Sequence, residues 1–162
     1  MVVMAKNNKN RLYLLKLTGE ALVENGEHFS MSAARFIAEE IKSVVVDARF
    51  RIAAVVGGGN VVRGAELEQQ GLERKIADNM GILATVQNAL LLEYFLEQCG
   101  IPARTMTAVP MNTIAEPYIY KRALRHLNKG RVVVLSGGIG EPYVSTDFAA
   151  VQRACQLDAA AI

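Results

Sequence analysis

A short apolar run, Ile52 to Val56, stops at Gly57-Gly58-Gly59-Asn60, and Arg63 follows at once. Glycine has no Cβ, so a ligand can come into contact with the main chain there. A strand that ends in such a turn and re-enters a helix presents bare N–H groups to an anion. Arg63 adds a cation that can fork onto phosphate oxygens. One glycine pair would read as an ordinary tight turn. Three glycines with Asn60 and Arg63 tilt the reading toward phosphate, and two more turns of the same kind strengthen it. Lys16 closes an apolar run just before Thr18-Gly19-Glu20, and Gly137-Gly138-Ile139-Gly140 closes another. Lys16 has two open readings: a lysine snorkelling from a strand end, or one aimed at phosphate. Asp78 also has two, a first-turn carboxylate favoured by a helix dipole or an acceptor for ribose hydroxyls.

The other common chemistries find no footing. Val62 and Tyr143 occupy the third-glycine positions of a dinucleotide fingerprint, and Gly64 is followed by Ala65 rather than the lysine of a P-loop. His28 and His126 stand alone, without metal-ligand spacing, and no nucleophile elbow is present. With 18 basic and 16 acidic residues the chain has no electrostatic footprint for nucleic acid or membrane surfaces. Cys99 and Cys155 are too few for a disulfide framework and read as reduced core or near-core thiols of a cytosolic protein. Residues 1–10 form a polar tail without the apolar region of a signal peptide.

These turns need a scaffold. Residues 11–17, 52–56, 103–108 and 131–136 read as strands, the first nearly continuously apolar, as a strand covered on both faces should be. Between them, Phe36, Ile37, Ile41, Val44, Val45 and Ala48 recur at helical spacing. So do Ile82, Leu83, Val86, Ala89, Leu90 and Phe95 within a helix over 72–99 that Gly100 ends. Ser30 or Ser32 can cap the first helix, and Ser145 or Thr146 the last, which runs to about Leu157. Residues 119–128 form a further helix. Residues 24–30, 66–71 and the stretch between Pro110 and Pro117 read as irregular, and 158–162 as the entry to another strand. At 162 residues, 51% of them hydrophobic, the chain suits one domain with a sizeable core. Strands alternating with helices give a three-layer α/β/α sandwich with a mainly parallel sheet. The three glycine turns then share the carboxyl edge, where open parallel sheets bind ligands.

Four stretches resemble the bacterial uridylate (UMP) kinases of the amino-acid kinase superfamily. They are Lys16 to Leu22, Gly57 to Asn60 with Arg63-Gly64, Ala77 to Asn88, and Ala108 to Met111. The resemblance covers residues 11–162, in order and spacing, and 77–88 is its most specific part. It implies an amino-acid kinase fold, C-terminally incomplete, and transfer of phosphoryl from ATP, with Mg²⁺ carried on the nucleotide, to UMP in a cytosolic homohexamer. The resemblance further implies a catalytic set of Lys16, Arg63 and Asp147, the last orienting Lys16 or the metal. ATP phosphates would meet Lys16, Leu17, Thr18, Gly19, Gly59 and Arg63. UMP would meet Gly58 and Asp78, under a closing loop of Ile139, Gly140, Glu141, Pro142, Tyr143, Val144, Ser145 and Thr146. Glu24, Asn25, Gly26, Glu27, His28 and Phe29 match a segment linked to activation by GTP. Ile139 and Glu141 depart from the family's usual Thr and Asn in that loop. The family also continues past Ile162 through its adenine pocket, so this stretch corresponds to the UMP side of such an enzyme. Two other functions compete: a kinase for a carboxylate or carbamate, and a non-catalytic nucleotide- or oxyanion-binding protein.

Overall fold

A computed structural model describes residues 11–24, 26–47 and 50–162, except the side chain of Asp47. Five strands form one parallel sheet in the order β1-β2-β5-β3-β4. They are β1 (Leu12–Leu17), β2 (Arg51–Val56), β3 (Ala103–Thr107), β4 (Glu116–Pro117) and β5 (Val132–Ser136). The helices are α1 (Met31–Asp47), α2 (Gly64–Gln69), α3 (Arg74–Gln98), α4 (Tyr120–Asn128) and α5 (Thr146–Leu157), with a 3₁₀ turn at Gly19–Leu22.

The near-continuous apolar runs bury both faces of the central strands. Ile52, Ala54, Val56, Val132 and Val134 face a core shared with α1 and α3, including Ala38, Ile41, Leu92 and Leu96. Ala53, Val55, Val133 and Leu135 face a second core with α4 and α5, including Ala123, Leu127, Ala150 and Leu157. This is the expected three-layer sandwich. The parallel register brings the ends of β1, β2 and β5, with their glycine turns, to one edge. Gly57 N–H donates to Leu17 O at 2.8 Å, which joins the first two turns directly.

Several expectations change. Residues 66–71 are not irregular, because α2 covers most of them. Asp78 sits in the second turn of α3 and so is an acceptor for neighbouring donors rather than a dipole partner. Glu116–Pro117 pairs with β3 inside the stretch read as a loop; two residues carry no periodicity to detect. In α1 the inward stripe is Ala34, Ala38 and Ile41, with Ile37 and Val45, whereas Phe36 is 63% exposed and Val44 also faces out. Size misled here: alanines fill the close contact with the sheet. Ala48 lies outside the described residues, as do 1–10. Cys155 is exposed and only Cys99 is half-buried. At the far end, Leu14 N–H donates to Ala161 O and Ala160 N–H to Leu12 O, so residues 160–161 begin to pair along the outer edge of β1. Ser30 caps α1, accepting from Ala33 N–H at 3.1 Å, and Ser145 caps α5, accepting from Phe148 N–H at 3.2 Å.

Candidate functional site

The second glycine turn is built against α3. A Cβ on Gly58 would lie 2.7 Å from Gly81 O, 2.9 Å from the Ala84 Cβ and 2.9 Å from Thr85 N. The turn is therefore pressed onto the helix backbone. Asn88, fully buried on α3, donates to Gly57 O at 2.7 Å and to Asn60 Oδ1 at 2.7 Å. One turn earlier, Thr85 Oγ1 accepts from Gly137 N–H at 2.7 Å and donates to Ile82 O. Thus Thr85 and Asn88, three residues apart on one helical face, hold two of the three glycine turns. The first turn closes against the second: a Cβ on Gly19 would meet Asn60 Oδ1 at 2.4 Å and Gly59 N at 2.8 Å. Gly137 and Gly138 adopt φ of +74° and +56°, a conformation costly for residues with a Cβ.

Around these turns lies a cavity of about 260 Å³ lined by Gly58, Gly59, Val62, Asp78, Gly81, Ile82, Thr85, Gly138, Glu141, Val144, Ser145 and Thr146. Of the expected UMP contacts it brings together Gly58, Asp78, Glu141, Val144, Ser145 and Thr146. Ile139, Gly140, Pro142 and Tyr143 belong to the same loop but do not line the cavity; Tyr143 projects outward, 61% exposed. Lys16, Leu17, Thr18 and Gly19 also stand off its wall, at the end of β1. Lys16 Nζ pairs with Asp147 Oδ1 at 3.0 Å, and Asp147 directly follows the lining residue Thr146. Lys16 is thus held at the carboxyl edge by the first turn of α5. A larger hollow, about 620 Å³, lies by β3 and β4 and is lined by residues such as Glu93, Arg104 and Arg122. None of the glycine turns reaches it, and of the two only the smaller cavity is lined by residues of those turns.

The charged groups are already paired. Arg63 forms an ion pair with Glu20 and donates from Nε to Gly59 O at 3.3 Å. The Glu20 carboxyl is held below its ordinary value, first by its own backbone N–H and then by the Arg63 charge and the Thr18 hydroxyl, against the opposing effect of burial. Asp78 Oδ1 accepts from Arg74 Nε at 2.9 Å, and its Oδ2 accepts from Tyr143 N–H at 2.8 Å. Asp78 thus clasps the 139–146 loop, and Arg74 lies over the Tyr143 ring. Sequence reasoning assigned no role to Glu20, Arg74, Thr85 or Asn88. Each is polar and lies inside a quoted motif or beside one, but only the tertiary contacts reveal what it holds.

In the 24–29 segment, Glu24 accepts from Ser30 and Ser32, which lowers its carboxyl below the usual range, Ser32 contributing most. Asn25 lies outside the described residues. Gly26, Glu27 and Phe29 stay away from the cavity. His28 Nδ1 donates to Asn60 O at 2.7 Å, and Asn60 Nδ2 donates to His28 O at 2.6 Å, so this segment touches the glycine turn through Asn60. Among the described residues no cluster of three or more His, Cys, Asp or Glu could hold a metal ion, and no helix is long and apolar enough to cross a membrane.

Glycine turns, a lysine and the N-terminus of α5 thus meet at one edge of the parallel sheet of an α/β domain, the edge at which open parallel sheets bind ligands. The profile of the amino acid kinase family matches residues 11–162, and the chain belongs to that family. It is 52% identical over 151 residues to the uridylate kinase of Streptomyces avermitilis, covering 93% of this chain and 60% of that one. Among solved structures, the UMP kinase from Bacillus anthracis superposes with a TM-score of 0.87 at 41% identity, over 93% of this chain and 62% of the other. The UMP kinase from Ureaplasma parvum gives 0.88 at 26% identity, over 93% and 66%. The chain therefore spans about three fifths to two thirds of these uridylate and UMP kinases. An aspartate kinase from Synechocystis, with a TM-score of 0.67 at 22% identity, shares the fold.

Proposed function

We propose that this chain forms the UMP-binding side of a uridylate kinase, which transfers the γ-phosphoryl group of ATP to UMP and yields UDP and ADP. One observation carries the reading: a single cavity gathers the Gly58–Gly59 turn, Asp78 and four residues of the 139–146 loop. In the reaction an oxygen of the UMP phosphate attacks the γ-phosphorus, and the bond from that phosphorus to the β-bridging oxygen breaks. No covalent protein intermediate is needed; positioning and positive charge suffice. Gly58 N–H meets the UMP phosphate and Gly59 N–H the ATP phosphates. Lys16, held by Asp147, neutralises charge on the transferred group, and Arg63 holds phosphate once released from Glu20. Asp78 accepts the ribose hydroxyls. Mg²⁺ carried on ATP would supply charge neutralisation, and Asp147 would be the carboxylate nearest to orient it or Lys16. The adenine pocket falls, by the same resemblance, in the part of the relatives beyond this match. A cytoplasmic homohexamer responsive to GTP through the 24–29 segment completes the reading.

Glu141 on the cavity wall and the hydroxyl-free Ile139 favour a second reading, a nucleotide-binding member of the family without turnover. Calorimetric titration with UMP, CMP and AMP tests the first. UMP should bind tightest, and Asp78→Ala should weaken its binding. Equal binding of all three would sink the uridine assignment, and tight UMP binding without UDP formation when Mg·ATP is added would select the second reading.

A further inference from the structure

Arg153 is the only charged side chain that is buried among the described residues, at 7% exposure, and no carboxylate there pairs with it. A buried cation without a counter-ion is costly, so its neutral partners must hold it firmly. Arg153 Nη1 donates to Gln156 Oε1 at 2.9 Å, and Nη2 donates to Gly138 O at 3.2 Å. The guanidinium lies over the Tyr118 ring, 3.9 Å from its centroid, and the Tyr118 hydroxyl donates to the same Gln156 oxygen at 2.9 Å. Tyr118 is itself fastened by its N–H to Thr107 O at 2.8 Å. Arg153 therefore ties α5, the end of β3 and the third glycine turn together.

Gly138 is the member of that turn least held by packing. Gly137 is crowded by Thr107 and Ala108, whereas a Cβ on Gly138 would meet nothing within 4 Å. Yet Gly138 lines the cavity. Its carbonyl points at Arg153, and in a trans peptide the following N–H, that of Ile139, points the opposite way.

We propose that Arg153 is a positioning residue for phosphate binding. It fixes the Gly138–Ile139 peptide from behind the cavity, and its unneutralised charge raises the positive potential that a phosphate dianion meets at the turn. The inference rests on the UMP reading of the cavity for its ligand, but its anchoring half stands without it.

The test uses the whole chain with Arg153→Met and Arg153→Lys, and the probes are UMP and uridine. Arg153→Met should weaken UMP by about tenfold, the loss typical of one hydrogen bond to a charged group, and leave uridine unchanged. Arg153→Lys should recover part of the UMP affinity. Equal losses for UMP and uridine, or an unchanged UMP affinity, would overturn the charge claim. Amide hydrogen exchange without ligand tests the anchor: exchange at Ile139 and Gly140 should quicken in Arg153→Met while α3 stays protected. Unchanged exchange overturns the proposal. If the parent chain does not bind UMP, quickened exchange upholds the anchor while the UMP reading fails. Should Arg153→Met not fold, Tyr118→Leu removes the stacked ring and keeps the charge. Quickened exchange with UMP affinity reduced less than tenfold then supports the proposal, and exchange as in the parent overturns it.

Discussion

Two glycines that touch on one wall of the site, Gly58 and Gly81, should respond to alanine in opposite ways. Gly58 has no positive φ, so alanine brings no backbone strain there, but its Cβ would come within 2.7–2.9 Å of Gly81 O, Ala84 Cβ and Thr85 N. Two of those three atoms are helix backbone, which cannot rotate away. The turn or α3 must shift, and overpacking of this kind costs about 1–3 kcal/mol. The upper half of that range applies, because α3 also carries Thr85 and Asn88, which hold two turns. Gly81 lies inside α3, and a Cβ there would meet only Val62 O at 3.9 Å, an ordinary contact. Alanine should stabilise the helix by up to about 1 kcal/mol. Urea unfolding followed by circular dichroism measures both. With a slope of about 1–3 kcal/mol per molar, Gly58→Ala should lower the midpoint by about 1 M and Gly81→Ala should raise it by less. Gly81→Ala should nonetheless weaken UMP, because Gly81 lines the cavity and the new methyl enters it. A Gly58→Ala variant as stable as the parent would refute the claim that the turn is pressed against α3. A Gly81→Ala variant with full UMP affinity would show that the ligand does not approach that wall.

In an active form, Lys16→Ala should lower kcat by the equivalent of about 2.7–4 kcal/mol of transition-state stabilisation with little change in KM; a raised KM alone would mean uniform binding instead. Glu141→Asn should tighten UMP, most at low salt where screening is weak, and equal affinities would mean that Glu141 turns away from the phosphate. Glu20 titrates below its ordinary value of 4.5 when folded. Its contribution to stability is therefore complete above that value and is lost as pH falls through the lower folded one. Thermal midpoints measured down the acid limb should fall less steeply in Glu20→Gln than in the parent, and parallel limbs would refute the assignment.

How legible this was varied with the kind of signal. The sandwich followed from apolar strands alternating with helices, because burial on both faces leaves a mark at every position. The shared edge followed from where the glycines stand relative to the strand ends. What was missed depended on contacts across the fold. Phe36 looked like core and Ala34 did not, since periodicity ranks apolar size while close helix–sheet packing selects small residues. Asn88 and Thr85 read as polar positions on a helix, yet they are the supports of the glycine turns. Arg153 carries no motif at all; its role comes from a burial that only the packed structure reveals.

The charged residues that sequence reasoning aimed at a ligand are each aimed at another group of the protein. Lys16 holds Asp147, Arg63 holds Glu20, and Asp78 holds Arg74 and the Tyr143 amide. On the proposed reading, binding a nucleotide would be an exchange of partners rather than a first pairing. Arg63 would gain a phosphate and give up a carboxylate, so only the difference between the two would contribute to affinity. While Asp78 accepts from Tyr143 N–H it keeps the 139–146 loop beside the cavity. On the same reading a ribose hydroxyl would offer a replacement donor at that oxygen and would couple loop position to ligand occupancy through one side chain. On that reading the glycine turns, with Gly138 steadied from behind by Arg153, would be the part of the site that meets a phosphate without rearrangement.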